Sequence, residues 1–369
     1  MCGIIKTMNG DGGIDFKKIG RRIRACDYLV VAQLFLQDNF LLEHKLTFDD
    51  IKPRLLGHWG TCHGIDVAYA NLKAFFCPTP DEPTSQPAND KVKNALDSLK
   101  KHPTANIDTG FIPEKSQRER DNFHFILGPG HGFPALQANL FVDGDLELVD
   151  PKATRDPKGV EYLCKNFSWP DGFPSHASPI TPGVICEGGE LGYALGAAYG
   201  LALGHPEKTI AVMLGDGEFE TATALASLNL VKTIGNNIYN GKVIPILHLN
   251  GYKISGPTLY GRKSEREMKE LIRGFGYTPL WVEGDSVEEF QGRLREINSV
   301  THPFLILQTE KGATGPTEVE GKKVAGNFLA HQIPLPEAKT NPIELDQLKD
   351  WLTSYKFEEL FDLKKGFTL

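Results

Sequence analysis

The stretch TIAVMLGDGE at residues 209–218 decides the fold, because an apolar run passes directly into a carboxylate held between two glycines. Such a run without alternation is typical of a strand buried on both faces of a sheet. The glycines beside Asp216 allow a sharp turn and a close approach of the backbone to a ligand. In open parallel sheets, ligands bind beyond the carboxyl ends of the strands. We therefore expect Asp216 to face a ligand site.

Similar apolar runs occur on both sides of this stretch. Apolar strands alternate with amphipathic helices, which predicts an α/β fold: a parallel sheet with helices on both faces. The predicted strands are 124–128, 209–214, 243–249, 278–284 and 303–309. The predicted helices are 21–37, 91–101, 189–204, 219–234, 264–276, 287–300 and 341–361. A Pro-rich stretch at 77–90 predicts an exposed loop.

Charge and cysteine content exclude several classes of protein. The net charge of −7 argues against general electrostatic binding to nucleic acid. No stretch approaches the roughly 20 apolar residues that span a bilayer, and the first residues lack the apolar segment of a secretory signal. Six cysteines without a CxxC pair are typical of reduced thiols, so we expect a cytoplasmic protein.

A second polar strand end indicates a metal site. Asn250 and Gly251 follow the apolar run 243–249 directly, as Asp216 follows its own strand. A carboxylate repels phosphate unless a cation lies between them, and a helix N-terminus favours anions. The Asp216 carboxylate, the Asn250 amide oxygen and the Tyr252 carbonyl are therefore the predicted ligands of a metal that bridges to a diphosphate. Magnesium and calcium both use such oxygen ligands, so the pattern leaves both open.

Longer strings around these strand ends resemble the phosphoketolases that act on xylulose 5-phosphate and fructose 6-phosphate. The strings are LLGHWGTC (55–62), GPGHG (128–132), PSHASPITPG (174–183), EGGELGYALG (187–196), IPILHLNGYKI (244–254), RGFGYTPLWVEGD (273–285) and AHQIPL (330–335). The resemblance implies a transketolase-like fold with thiamine diphosphate and a divalent metal, Mg²⁺ or Ca²⁺, as cofactors. Transketolases and the α chains of 2-oxoacid dehydrogenases share the metal motif but not the HWGT, SHASPITPG and AHQIPL strings.

The resemblance also implies a reaction and four histidines that serve it. Phosphoketolases cleave a ketose phosphate with inorganic phosphate to acetyl phosphate and an aldose phosphate, and a hydroxyl leaves as water. Such chemistry needs groups that exchange protons near neutrality, as histidine does. By resemblance, the catalytic residues are His58, His131, His176 and His331. Taken singly, each is equally well an ordinary loop histidine.

Further cofactor contacts follow from the same resemblance. Gly189 is expected to lie against the cofactor and Lys311 near its diphosphate, with a solvated lysine as the alternative. The remaining predicted contacts belong to the GDGE turn and are Gly215, Asp216, Gly217 and Glu218. The last two are expected to act through backbone N–H groups.

Two features depart from the family pattern. His63 stands where the family usually has proline, which brings His58, Cys62 and His63 together. Adjacent ligands without a fourth candidate nearby make zinc a poor interpretation. Residues 77 to about 121 resemble a surface insertion, because the family passes almost directly from one element to the next at this point.

The domain organisation is the third departure. We expect a diphosphate-binding domain over residues 1–340, followed over 341–369 by a helix and the start of a linker, without the pyrimidine-binding and C-terminal domains. Several interpretations stay open. The chain is one subunit of a split phosphoketolase with a partner chain or a homo-oligomer, a catalytically incompetent fragment, or an interaction module of the same fold. Transketolase-type ketol transfer to an aldehyde is the competing enzymatic interpretation. The expected small-molecule partners are a sugar phosphate and inorganic phosphate.

Overall fold

The computed structural model describes residues 14–77, 122–181, 184–235, 237–364 and 366–369. The predicted helix 91–101 and nearly all of the predicted insertion 77–121 lie outside the described residues. The five strands of the main sheet are β1 (Phe123–Leu127), β2 (Thr209–Gly215), β3 (Lys242–Leu249), β4 (Thr278–Glu283) and β5 (Pro303–Gln308). Their order is β1-β2-β3-β5-β4, and every neighbouring pair is parallel. The predicted parallel sheet is confirmed.

Helices cover both faces of this sheet. The helices of the first face are α1 (Phe16–Phe35), α2 (Cys62–Phe76), α3 (Phe133–Asp143), α4 (Pro157–Asn166), α9 (Val287–Glu296) and α10 (Pro342–Ser354). The helices of the second face are α5 (Ala194–Ala202), α6 (Ala222–Ser227), α7 (Leu230–Thr233) and α8 (Glu265–Phe275). The α/β fold with two helical layers is therefore the one that the sequence predicted.

The side chains of β2 explain why its sequence is apolar without alternation. Ala211 and Met213 pack into the core beneath the first helical layer. Ile210, Val212 and Leu214 pack into the core beneath the second layer. Because both faces of a parallel strand are covered, successive side chains are buried in opposite directions and no position favours a polar residue.

In the second helical layer, two predicted helices differ clearly from their sequence patterns. The helix expected over 189–204 begins only at Ala194, because Gly192 adopts a left-handed φ of +100°. The helix expected over 219–234 is divided into α6 and α7. At the break, the Asn229 N–H donates to the carbonyl of Ala226, three residues back, which tightens the turn and interrupts the α-helical pattern.

The last segment completes the first helical layer through α10. The ring of Trp351 in α10 meets Phe35 and Trp59 edge to face, with ring centroids 5.9 and 4.8 Å away. The helix ends at Ser354, short of the predicted position 361, and a 3₁₀ turn follows over Phe357–Glu359. No helix in the described ranges is both long enough and apolar enough to cross a membrane.

Candidate active site

Asp216 lies at the carboxyl end of β2 with its side chain 3% exposed. Its Oδ2 accepts hydrogen bonds from the Gly251 N–H at 2.6 Å and from the Thr258 hydroxyl at 3.0 Å. Its Oδ1 accepts the N–H of Gly217 at 3.0 Å. Burial raises the pKa of Asp216 to about 6, against the effect of these hydrogen bonds and of the Lys311 charge. The carboxylate thus joins the ends of β2 and β3 and is poorly solvated.

The other predicted metal ligands lie on the loop after β3. The Oδ1 of Asn250 accepts the N–H of Tyr252 at 3.2 Å, and the carbonyl oxygen of Tyr252 accepts from Lys311 Nζ at 3.0 Å. The contact between Asp216 and Gly251 brings this loop against the carboxylate. One carboxylate, one amide oxygen and one backbone carbonyl form the all-oxygen set that hard divalent cations prefer. The residues present therefore fit a magnesium or calcium ion.

The four predicted histidines form one cluster, although they are far apart in the sequence. The ring centroid of His58 lies 5.2 Å from His131, 5.1 Å from His176 and 5.2 Å from His331. His131 and His331 are 4.8 Å apart. The Nδ1 atoms of His58 and His331 are buried without a hydrogen-bond partner among the described residues. A buried polar atom without a partner calls for an explanation, and a role in binding or catalysis is one.

Backbone contacts bring these histidines together. The Trp59 N–H donates to the Gln332 carbonyl at 3.1 Å, which fixes the loop of His58 beside that of His331. The Ala177 N–H donates to the Gly130 carbonyl at 2.9 Å and places His176 beside His131 in the same way. A side chain at Gly130 would collide with the Cα of Gly188, so this crossing of two backbones requires glycine.

The environment keeps the cluster uncharged. Burial is the main cause that lowers the pKa of His58 to about 4 and of His331 to about 3. Burial also lowers the pKa of His131 and of His176. All four imidazoles are therefore neutral near pH 7, and each offers one N–H donor and one nitrogen acceptor.

Lys311 lies between the histidine cluster and the predicted metal ligands. The side chain is 2% exposed, and burial lowers its pKa to about 8 while Asp216 acts to raise it. Its charge adds to the effect of burial on the histidines, where it lowers the pKa of His58 and His331 further. The expected alternative of a solvated lysine is therefore wrong.

The predicted glycines differ in their surroundings. A Cβ at Gly189 would meet nothing within 4 Å, so this residue presents its backbone to open space. At Gly215, a Cβ would lie 3.3 Å from Pro129, and at Gly217 it would lie 3.0 Å from Lys253. Glu218 is buried at 2% exposure, and its carboxylate points into the protein.

Sequence reasoning missed His248, which is the penultimate residue of β3 and is buried. Its Nδ1 lies 3.0 Å from the Thr61 hydroxyl and its Nε2 lies 2.7 Å from the Thr309 hydroxyl. Burial lowers the pKa of His248 to about 3, so the ring is neutral. It ties β3 and β5 to the loop of His58. Its only signal in the sequence was a polar residue inside the apolar run before Asn250.

His63 is not part of the histidine cluster and contacts two aspartates instead. Its Nδ1 lies 2.9 Å from Asp27 Oδ2, and its Nε2 lies 3.3 Å from Asp285 Oδ2. Cys62 Sγ donates to the His58 carbonyl at 3.1 Å. In the described ranges, no group of three or more His, Cys, Asp or Glu side chains is arranged to hold a metal ion. The zinc interpretation therefore has no support. The predicted ligands around Asp216 differ from such a group, because two of the three are an amide oxygen and a backbone carbonyl oxygen.

Solved structures share this architecture. A transketolase from Pichia stipitis superposes with a TM-score of 0.58 at 18% identity, over 97% of this chain and 42% of that one. A transketolase from Leishmania mexicana gives a TM-score of 0.56 at 17% identity, over 94% of this chain and 45% of that one. At such identities the likeness is one of fold. The protein has the thiamine-diphosphate-binding, transketolase-like α/β fold.

Sequence comparison defines the family. The family model of the XFP N-terminal domain matches residues 13–76, 115–300 and 285–368. Probable phosphoketolases from Bradyrhizobium diazoefficiens and Nitrosospira multiformis are each 40% identical, over 370 and 377 residues. The chain belongs to the XFP N-terminal domain family, the N-terminal domain of phosphoketolases.

The relatives are longer than this chain. The alignments cover 94% of the present sequence but 41% and 42% of the two relatives, so the chain spans about two fifths of their length. The match therefore defines the family of this domain, and the activity of the complete relatives carries over only as a proposal.

Proposed function

We propose that this chain supplies the metal and diphosphate half of a phosphoketolase active site. The reaction cleaves xylulose 5-phosphate or fructose 6-phosphate with inorganic phosphate and yields acetyl phosphate, an aldose phosphate and water. The observation that carries the proposal is the position of Lys311. It contacts the loop of the proposed metal ligands and is near enough to lower the pKa of His58 and His331, which supports one common site for both groups of residues.

The metal and the diphosphate are proposed to bind where β2 and β3 end. Asp216, Asn250 and the carbonyl of Tyr252 would hold Mg²⁺ or Ca²⁺, and Lys311 would offset the remaining negative charge of the diphosphate. Gly189 would lie against the cofactor, because its surroundings are open. Gly215 and Gly217 allow a close approach of the turn. Thiamine diphosphate, when bound, supplies the carbon nucleophile that the bond cleavage needs.

The four histidines are proposed to move protons on the substrate side. Neutral imidazoles both donate and accept hydrogen bonds, so His58, His131, His176 and His331 could stabilise a developing alkoxide. A ring that has first taken up a proton could pass that proton to a departing hydroxyl, which leaves as water. Their low pKa values make each protonated ring a strong acid that releases its proton readily. A site rich in neutral donors and with one buried lysine suits anionic substrates such as sugar phosphates and inorganic phosphate.

The remaining part of the site is proposed to come from residues outside this sequence. The fold class places thiamine diphosphate between two domains, and the longer relatives leave room for the second one. We propose that a pyrimidine-binding domain on a partner polypeptide completes the site in the cytoplasm, with a homo-oligomer of this chain as the alternative assembly. Acetyl phosphate formation would then depend on that domain.

An assay for acetyl phosphate tests this proposal. The purified protein is incubated with thiamine diphosphate, Mg²⁺, inorganic phosphate and either ketose phosphate. It is tested alone and with a polypeptide that carries the part of a curated relative beyond the matched region. We expect product on mixing and none when the mixed protein carries Asp216→Ala. Absence of product from every combination contradicts the proposal.

The choice of acceptor separates the two enzymatic interpretations. The same mixture is given an aldose phosphate in place of inorganic phosphate. A phosphoketolase forms acetyl phosphate only when inorganic phosphate is present. Formation of a new ketose phosphate without inorganic phosphate would instead support ketol transfer of the transketolase type.

A further inference from the structure

We propose that the side chain of Glu218 is a positioning residue that holds three loops of the cofactor site in register. The inference rests on the proposed function and adds a role that goes beyond the backbone N–H group expected for this residue. Each loop carries one of the proposed site residues. The carboxylate is proposed to act through its contacts with these loops, and not by direct contact with metal or cofactor.

The first two contacts are hydrogen bonds from backbone donors. Glu218 Oε1 accepts the N–H of Gly192 at 3.1 Å, and Oε2 accepts the N–H of Gly215 at 3.1 Å. Gly192 lies three residues after Gly189, and Gly215 directly precedes Asp216. One carboxylate therefore connects the loop before α5 with the loop that carries the proposed metal ligand.

The third contact is steric. A side chain at Gly128 would collide with both carboxylate oxygens of Glu218, so the carboxylate lies directly against the backbone at the end of β1. Gly128 begins the GPGHG loop that carries His131. The histidine loop can approach the turn of Asp216 this closely only because position 128 has no side chain.

The free-energy cost of burying the Glu218 carboxyl group argues that this side chain has a role beyond packing. Glu218 is 2% exposed, and no cation within the described ranges forms an ion pair with it. A buried carboxyl group without a cation partner is costly to hold, and its loss would leave the buried N–H of Gly192 and the partly buried N–H of Gly215 without an acceptor. A site that only needed packing would be better served by an apolar residue.

The matched control is another buried carboxylate. Glu344 in α10 is 1% exposed and accepts the Glu337 N–H at 2.7 Å, but it belongs to the C-terminal segment, away from the three loops. Glu218→Gln and Glu344→Gln therefore remove the same chemical group from two positions of similarly low exposure. Each keeps one amide oxygen as an acceptor.

Calorimetric titration with thiamine diphosphate in Mg²⁺, together with the melting temperature, distinguishes positioning from packing. We expect both variants to melt at lower temperature, but only Glu218→Gln to bind thiamine diphosphate at least tenfold more weakly. If Glu218→Gln does not fold, Gly128→Ala takes its place and is expected to weaken binding similarly. Affinity within twofold of the wild type in the folded variant overturns the inference. A wild-type protein that binds no thiamine diphosphate, either alone or mixed with the complementing polypeptide, overturns the proposed function, and this inference falls with it.

Discussion

The ammonium group of Lys311 donates to the carbonyl oxygen of Tyr252 at 3.0 Å, in surroundings that leave the lysine 2% exposed. Burial lowers the pKa of Lys311, and the nearby Asp216 carboxylate limits that effect. The same charge acts on His58 and His331. One buried cation is therefore coupled to both groups of residues that the proposed function brings together.

Replacing Lys311 by methionine removes this charge and keeps an unbranched side chain. We expect the pKa of His58 and of His331 to rise but to stay below 6.5, because burial is the larger cause and remains. NMR titration of the imidazole C–H signals measures the change. Lys339→Met is the control, since Lys339 donates to two backbone carbonyls elsewhere. Histidine titrations that coincide in the wild type and Lys311→Met contradict the coupling.

The buried pair of His63 and Asp27 makes stability depend on pH. Burial alone would lower the pKa of His63, but Asp27, helped by Asp285, raises it to about 10. A folded-state pKa above the unfolded value of about 6.5 means that this stabilisation is complete below pH 6.5 and declines toward pH 10. His63→Gln is expected to lose on the order of 3–5 kcal/mol at pH 6.

Urea unfolding of the wild type and His63→Gln at pH 6, 8 and 10 measures this effect. The difference in the free energy of unfolding should shrink as the pH rises, because the wild-type imidazolium loses its charge. A difference that stays constant across this range shows that His63 acts through packing alone.

The open surroundings of Gly189 predict that this position tolerates a side chain until a ligand is present. Gly189→Val is expected to change the free energy of unfolding by less than about 0.5 kcal/mol and to weaken thiamine diphosphate binding at least tenfold. Gly292→Val is the control, because a Cβ there also meets nothing within 4 Å. Unchanged affinity in Gly189→Val would place the cofactor elsewhere.

The histidine cluster is expected to affect turnover more than binding. The variants are assayed in the mixture with the polypeptide from a curated relative that is described above. His58→Asn and His331→Asn should each lower kcat by about 10²–10⁴-fold, as expected for the loss of a group that transfers protons. The thiamine diphosphate affinity should stay within twofold. His44→Asn serves as the control, since its side chain is 61% exposed and lies outside the cluster. A kcat that survives either cluster substitution removes that histidine from the mechanism.

The strands of the fold were predictable because a strand that is buried on both faces has a continuous run of apolar residues. The strand predicted over 243–249 is observed over Lys242–Leu249. Helix ends were less predictable. The start of α5 depends on the left-handed turn at Gly192, and the break after α6 depends on a local change of hydrogen bonding at Asn229. Neither event changes the apolar periodicity.

The site was only partly predictable from residues alone. Asp216 and Asn250 follow from the rule for strand ends, whereas the histidines required a family resemblance. Their loops meet through backbone hydrogen bonds such as that between Trp59 and Gln332. Backbone hydrogen bonds do not depend on the residue type, so the sequence does not reveal them. The buried side-chain contacts of Glu218 were likewise invisible, because nothing local to GDGE shows that Gly192 is its partner.

Binding of thiamine diphosphate in the presence and absence of Mg²⁺ tests the central claim most directly. Isothermal titration calorimetry compares the wild type with Asp216→Ala and Asn250→Ala. We expect saturable binding by the wild type that requires Mg²⁺ and at least tenfold weaker binding by both variants. Equal affinity in all three proteins, or binding by the wild type that is indifferent to Mg²⁺, would contradict the assignment of the metal and diphosphate site to the ends of β2 and β3.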